Sequence, residues 1–151
     1  MKKDLGVKPY VFPMPVLLIS TYNADNTVDV MNMAWGGVCG SNMVALNIDE
    51  DHKTSQNIKE RMAFTLSVAD IPHIEAADFF GIASGNKMAD KFERSGLHAV
   101  KSEKVDAPVV EEFPPDPGVQ SRGVPEHRLR LPGAGRDRGR AGGGERAGRQ
   151  G

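Results

Sequence analysis

Short apolar runs with the two-residue period of strands, separated by small helical insertions, predict a mostly β protein with short helices, laid out as an antiparallel barrel. Three observations carry that prediction. Runs such as PVLLISTY and AFTLSVA are rich in strand formers and end at turn signals. The period changes to that of a helix only over brief stretches. The longest apolar run, PVLLIS, is far too short to span a bilayer.

Taken in order, residues 15–22 form a strand closed by the polar turn NADN, and TVDVMNMAW follows with Thr27, Asp29 and Met31 alternating against Val28, Val30 and Asn32. The two runs read as an antiparallel hairpin. GGVCGSN connects them to a further strand, MVALNI. In DEDHKTSQNIKERM the period shifts: Ile58 and Met62 stand at i and i+4, with acids in front and Lys59 and Arg61 behind, an arrangement that suits the dipole of a short helix. AFTLSVA returns to period two and sets Phe64, Leu66 and Val68 on one face. PHIEAADFFGIASG reads as a brief helix ending at Gly81, and NKMADKFERSG as another ending at Gly96. HAVKS and PVVEEF are weaker strands.

Composition splits the chain in two. Residues 1–114 hold nine Lys, two Arg and sixteen acids, a balance of −5. Residues 115–151 hold eight Arg, no Lys and four acids, a balance of +4, together with ten of the seventeen glycines. The single Cys39 excludes an intrachain disulfide and offers no zinc cluster. The N-terminus has lysines but no apolar core of a signal peptide, so a reducing, cytoplasmic compartment is expected and no membrane partner. No G-x-G-x-x-G between strand and helix, Walker loop, H-E-x-x-H or C-x-x-C is present. His52, His73, His98 and His127 are scattered, as surface histidines are, and no metal site is expected.

Two stretches stand apart. In NMAWGG (residues 32–37) an indole precedes two glycines at a strand end, which lets a flat ligand approach the backbone. By itself, a core Trp beside a bulge is the commoner meaning of such a stretch. DHKTSQN (residues 51–57) opens a helix whose free N–H groups, with Lys53, Thr54 and His52, suit a phosphate; an ordinary capped helix is the plainer alternative. Together NMAWGG, DHKTSQNI, FFGIASGNKMADKF and VDAPVVEEFP, in this order and spacing, resemble the flavin reductase-like, FMN-binding split-barrel family, most closely its flavoredoxin branch. The resemblance covers residues 1–114. It implies a homodimeric antiparallel split barrel holding FMN near the subunit interface, and electron passage from NAD(P)H or a protein donor. It further implies Asn32, Met33, Ala34 and Trp35 along the flavin ring, Lys53 and Thr54 at the phosphate, His52, Asn57 and the Ser84–Gly85 turn close by, and Lys91 as a second cation. No side chain is expected to act as a catalytic acid or base, because the flavin accepts the hydride itself.

After Glu111, Glu112, Phe113 and Pro114 the resemblance stops. The segment 115–151 is open to three meanings: an Arg/Gly tail contacting nucleic acid, a disordered linker, or the product of a frame slip in GC-rich DNA. The abrupt exchange of Lys for Arg favours the slip, and with it a disordered tail and a barrel lacking its C-terminal strands. An inactive fragment, or a binding module using the basic tail, is the alternative function.

Overall fold

Strand β1 (Leu17–Tyr22) is apolar on successive residues rather than alternate ones, because it is packed on both faces. In the computed structural model, which describes residue 4 and residues 6–8, 11–41 and 43–114, β1 is the centre of a sheet. It pairs antiparallel with β2 (Val28–Met33) on one side and with β5 (Thr65–Val68) on the other. Leu17 and Ile19 face one core, with Met33, Phe64 and Leu66. Leu18 faces the other, with Val30, Ala77, Phe80, Val110 and Phe113. Each such side chain contributes about 1.5–3 kcal/mol when fully buried, so β1 is the element the fold can least spare.

The β1–β2 turn is set by polar groups. The Thr27 backbone N–H and hydroxyl both donate to Asp25 Oδ1, at 3.0 and 2.6 Å, and Asn26 takes a left-handed φ of 66°. Strands β3 (Gly36–Gly40) and β4 (Met43–Leu46) make a second antiparallel sheet, with a register shift between Val38 and Gly40. Strands β6 (Ala99–Lys101) and β7 (Pro108–Val110) make a third. The Thr65 hydroxyl donates to the Pro108 carbonyl, linking β5 to β7.

Helix α1 (Lys53–Arg61) buries Thr54 and Asn57 against the first sheet. Its C-terminal end is fastened to the β1–β2 turn by Arg61, which donates to the Asn23 carbonyl at 2.5 Å and to Asn26 Oδ1 at 2.7 Å and pairs with Asp106 at 3.1 Å. Helix α2 (Ile74–Ile82) lies in the Leu18 core through Ala77 and Phe80, and α3 (Lys91–Arg94) adds Phe92 to it. Residues on β1 and β2 alternate sides, so α1 covers the Thr21 and Asp29 side and α2 the Leu18 and Val30 side. No helix among the described residues is long and apolar enough to cross a membrane.

The mostly β, antiparallel reading holds, with several local corrections. GGVCG is a strand, not a connection. Gly36 permits it, because a Cβ there would stand 2.8 Å from the Ala45 carbonyl oxygen of the paired strand. The acids at 49–51 precede α1, whose first turn contains none. Helix α2 runs through Gly81 to Ile82. The expected third helix shrinks to four residues, although Gly96 follows it with φ 70° as a terminating glycine should. Phe64 and Leu66 are core, whereas Val68 is 46% exposed. Trp35 is 53% exposed, which overturns the core-Trp meaning of NMAWGG. The reading of residues 115–151 as a tail, His127 included, lies outside the described residues.

Candidate functional site

β2 is the outer strand of its sheet, and α1 and α2 cover its two faces. Along it lies a cleft in two neighbouring halves that share lining residues. The first, about 120 Å³, is lined by Asp29, His52, Lys53, Thr54, Ser84, Gly85 and Lys91 among others. The second, about 270 Å³, is lined by Met33, Ala34, Trp35, Asn47, Ile48 and Asp49 among others. Met31, Asn32 and His52 border both. Taken together, the halves are of the size of small-molecule sites, about 300–1,000 Å³.

Strand period two explains how one short segment serves both halves. Asp29, Met31 and Met33 share a face, and Asn32 points to the opposite one. There its Nδ2 donates to the Ala77 carbonyl of α2 at 2.8 Å, so what Asn32 can offer a ligand is its amide oxygen and its backbone. Gly81 lies against this side chain, with room for a Cβ at ordinary van der Waals contact with Asn32.

The first half is polar and firmly built. Asp29 is 2% exposed; its Oδ1 meets Lys91 Nζ at 2.8 Å, and its Oδ2 accepts from the Thr54 hydroxyl at 2.6 Å. The turn at Ser84 closes over this pair. Backbone N–H groups of Lys87 and Met88 donate to the Ser84 carbonyl, and Asn86 Nδ2 donates to the Asp51 carbonyl at 2.7 Å. Gly85 is needed there: a Cβ would lie 2.5 Å from Asp29 Oδ1 and 3.1 Å from Lys53 Cβ. Helix α1 begins at the same place. His52 is its N-cap in an extended conformation and makes no side-chain cap bond, so its imidazole does not occupy the first-turn N–H groups, which have no partner within the helix. Half-buried Lys53 makes no ion pair within 4 Å among the described residues.

The second half mixes apolar Met31, Met33, Ala34, Trp35 and Ile48 with polar Asn32, Asn47, Asp49 and His52. The Asn47 N–H donates to the Trp35 carbonyl at 2.9 Å and holds the end of β4 across from it. Asp49, Asp51 and His52 bring one ligand atom each within 4.8 Å, but all three are exposed, and such groups are common on surfaces without an ion.

Ten of the eleven expected site residues therefore line one cleft: Asn32, Met33, Ala34, Trp35, His52, Lys53, Thr54, Ser84, Gly85 and Lys91. Asn57 does not. It is fully buried beneath α1 and donates to Thr21 Oγ1 at 3.0 Å and Asn23 Oδ1 at 2.8 Å. Lys91 and Thr54 reach the cleft with their polar side-chain groups already engaged by Asp29. Sequence reasoning missed Asp29 itself, and the available signal was an acid on an alternating strand whose neighbours are apolar.

Residues 10–115 match the model of the flavin reductase like domain. The chain belongs to that family. The flavin reductase-like chain is similar to the flavoredoxin of Desulfovibrio vulgaris (Miyazaki F), at 40% identity and a TM-score of 0.72 over 76% of this chain and 63% of that one. It resembles flavoredoxin from Methanosarcina acetivorans in fold, at 22% identity and TM-score 0.63, over 74% and 60% of the two chains. It also shares the fold of an FMN-binding domain of a flavin reductase-like enzyme from Shewanella baltica OS155, at 21% identity and TM-score 0.60, over 66% and 52%. The chain thus spans less than two thirds of the length of each of these structures. No curated protein matches it.

The cofactor implied by the flavin reductase-like family is a flavin, FMN, and the cleft fits it. One half offers a cation, a helix N-terminus whose N-cap side chain makes no cap bond, and a glycine turn that no side chain could replace, which is a donor set for a phosphate. The other offers Met33, Ala34, the Trp35 indole and Ile48 for a flat ring to lie against, with Asn32 and Asn47 as polar groups for its edge.

Proposed function

We propose that the chain is a flavin-dependent redox protein that holds FMN along β2 and passes electrons from NAD(P)H or a protein donor to an acceptor. The observation that carries this reading is that two hollows share Met31, Asn32 and His52 as lining, one beside Met33, Ala34 and Trp35 and the other beside Lys53 at the start of α1. In this cleft, Asn32 meets the polar edge of the ring with its amide oxygen and backbone. Trp35 shields one side from water, and Lys53, the Thr54 backbone N–H and the Ser84–Gly85 turn hold the phosphate. His52 stands where the two halves meet. When bound, FMN supplies the electron-accepting centre itself, so the side chains have to bind, orient and exclude solvent rather than transfer protons. Two copies complete the slot in the homodimer, and the free Cys39 suits a reducing, cytoplasmic compartment.

Trp35 is the single tryptophan of the chain, so intrinsic fluorescence reports on the cleft directly. Titration with FMN is expected to quench it to saturation at one flavin per chain. The bound flavin is then expected to bleach on anaerobic addition of NADPH or of a reduced iron–sulfur protein. FMN that neither quenches Trp35 nor is retained on a desalting column would end this reading.

A further inference from the structure

Lys91 has the features of a phosphate ligand, a buried lysine at the cationic end of the cleft, yet its ammonium is already spent. It lies 2.8 Å from Asp29 Oδ1, and the two side chains are 4% and 2% exposed. A buried ammonium is costly to leave without a counter-charge, and Asp29 is the carboxylate that supplies it. The same carboxylate takes the Thr54 hydroxyl, at 2.6 Å, on its other oxygen. Asp29 on β2 therefore ties α3 and the first turn of α1 to one strand, and the Ser84–Gly85 turn is closed so tightly over it that no Cβ fits.

We propose that Asp29 is a positioning and specificity-determining residue that masks Lys91: the pair is a neutral structural unit, and Lys53 is the cation by which the cleft distinguishes a phosphorylated flavin from an unphosphorylated one. The inference rests on the flavin reading given above. It has a consequence opposite to that of a carboxylate serving merely as scaffold. Asp29→Asn keeps the shape and can still accept from Thr54, but it leaves the Lys91 ammonium without a counter-charge, and the cleft is the polar space which that ammonium borders. A bound phosphate would then take over the role of Asp29. Removing a negative charge should make the site prefer FMN over riboflavin more strongly, while the flavin-free protein becomes less stable.

The test is the ratio of FMN to riboflavin affinity in the full chain, read by Trp35 fluorescence. Asp29→Asn is expected to raise the ratio about tenfold, since an unscreened ammonium a few ångströms from a phosphate is worth that much or more even at a high effective dielectric constant. The double change Asp29→Asn with Lys91→Met removes both charges and is expected to leave the ratio within about threefold of the unmodified chain. A tenfold fall in the double variant would assign Lys91 to the phosphate and overturn the proposal, as would a fall in Asp29→Asn. A second measurement needs no variant to fold. Lysine acetylation of the unmodified chain, followed by peptide mass spectrometry, should modify Lys53 and spare Lys91, with FMN protecting Lys53 alone. Lys91 that reacts in the flavin-free chain and is protected by FMN would equally refute the masking. If no flavin binds at all, the functional reading fails. Sparing of Lys91 would then uphold the buried pair on its own, and ready modification of Lys91 would sink it.

Discussion

Two residues predicted to sit beside the same phosphate, Lys53 and Asn57, are four apart in sequence and do different things. Lys53 opens α1 on the cleft side. Asn57, one turn on, faces the sheet and donates one buried and one part-buried hydrogen bond across to β1 and its turn. Lys53→Ala should therefore weaken FMN tenfold or more, since a charge-assisted contact is worth about 1.5–3 kcal/mol, and should leave riboflavin almost unchanged. Equal weakening of both flavins would remove Lys53 from the phosphate. Asn57→Ala should do the reverse: urea unfolding should show a loss of about 1–3 kcal/mol of stability, with the FMN to riboflavin ratio preserved. A change in that ratio without loss of stability would return Asn57 to the site. The residue types around a phosphate were legible in DHKTSQN. Which face of α1 each residue occupies depends on where the sheet lies, and the sheet comes from β1, β2 and β5, segments outside this stretch on both sides of it.

At the scale of elements, the β1–β2 hairpin was the most legible feature, because its turn chemistry is local. Asp25 accepts from both the hydroxyl and the backbone N–H of Thr27, and these bonds hold its carboxyl below the usual carboxylate range. A lowered folded-state value means that the stabilisation is present above the ordinary Asp range and is lost as pH falls through the folded value. Asp25→Asn keeps an oxygen that can accept from Thr27 but cannot titrate. Acid unfolding followed by circular dichroism should accordingly show a smaller loss of stability below about pH 4 in the variant than in the unmodified chain. Identical acid profiles would mean that the carboxylate form is not what the turn uses. β3 was harder to read, because GGVCG has the composition of a loop; it becomes a strand because β4 lies close enough to require the glycine at 36. α3 was over-read for the converse reason. NKMADKFERSG has helical spacing, but residues 84–88 are drawn into a turn closing over Asp29, and a helix remains only from Lys91.

For the whole molecule, the exposed apolar residues are informative. Trp35, Val38 and Met43 are 53%, 83% and 58% exposed at the Trp35 end of the cleft and along the hairpin that continues from it. Large apolar side chains grouped beside a ligand slot are a reason to expect a covering partner. Light scattering on the flavin-loaded chain should give the mass of a dimer, and Val38→Lys should shift it toward monomer with weaker flavin retention. A flavin-loaded monomer would show that one chain completes the slot alone.

Local chemistry determined which pieces exist. Uninterrupted apolar runs mark a strand packed on both sides, NADN marks a turn, and the stretch from His52 to Asn57 marks a helix start, because each depends on residues within one turn or one strand. Motif order was enough to point to the flavin reductase-like family and to ten residues of one cleft. Only the tertiary structure decided how those residues are used. It turned Asn57 inward, moved Trp35 to the surface, committed the Asn32 nitrogen to α2 and paired Lys91 with an aspartate 62 positions earlier on β2. The physical reason is that the charge and hydrogen-bonding capacity of a side chain are local properties, whereas whether they remain free for a ligand depends on which partner the packed chain brings within about 3 Å.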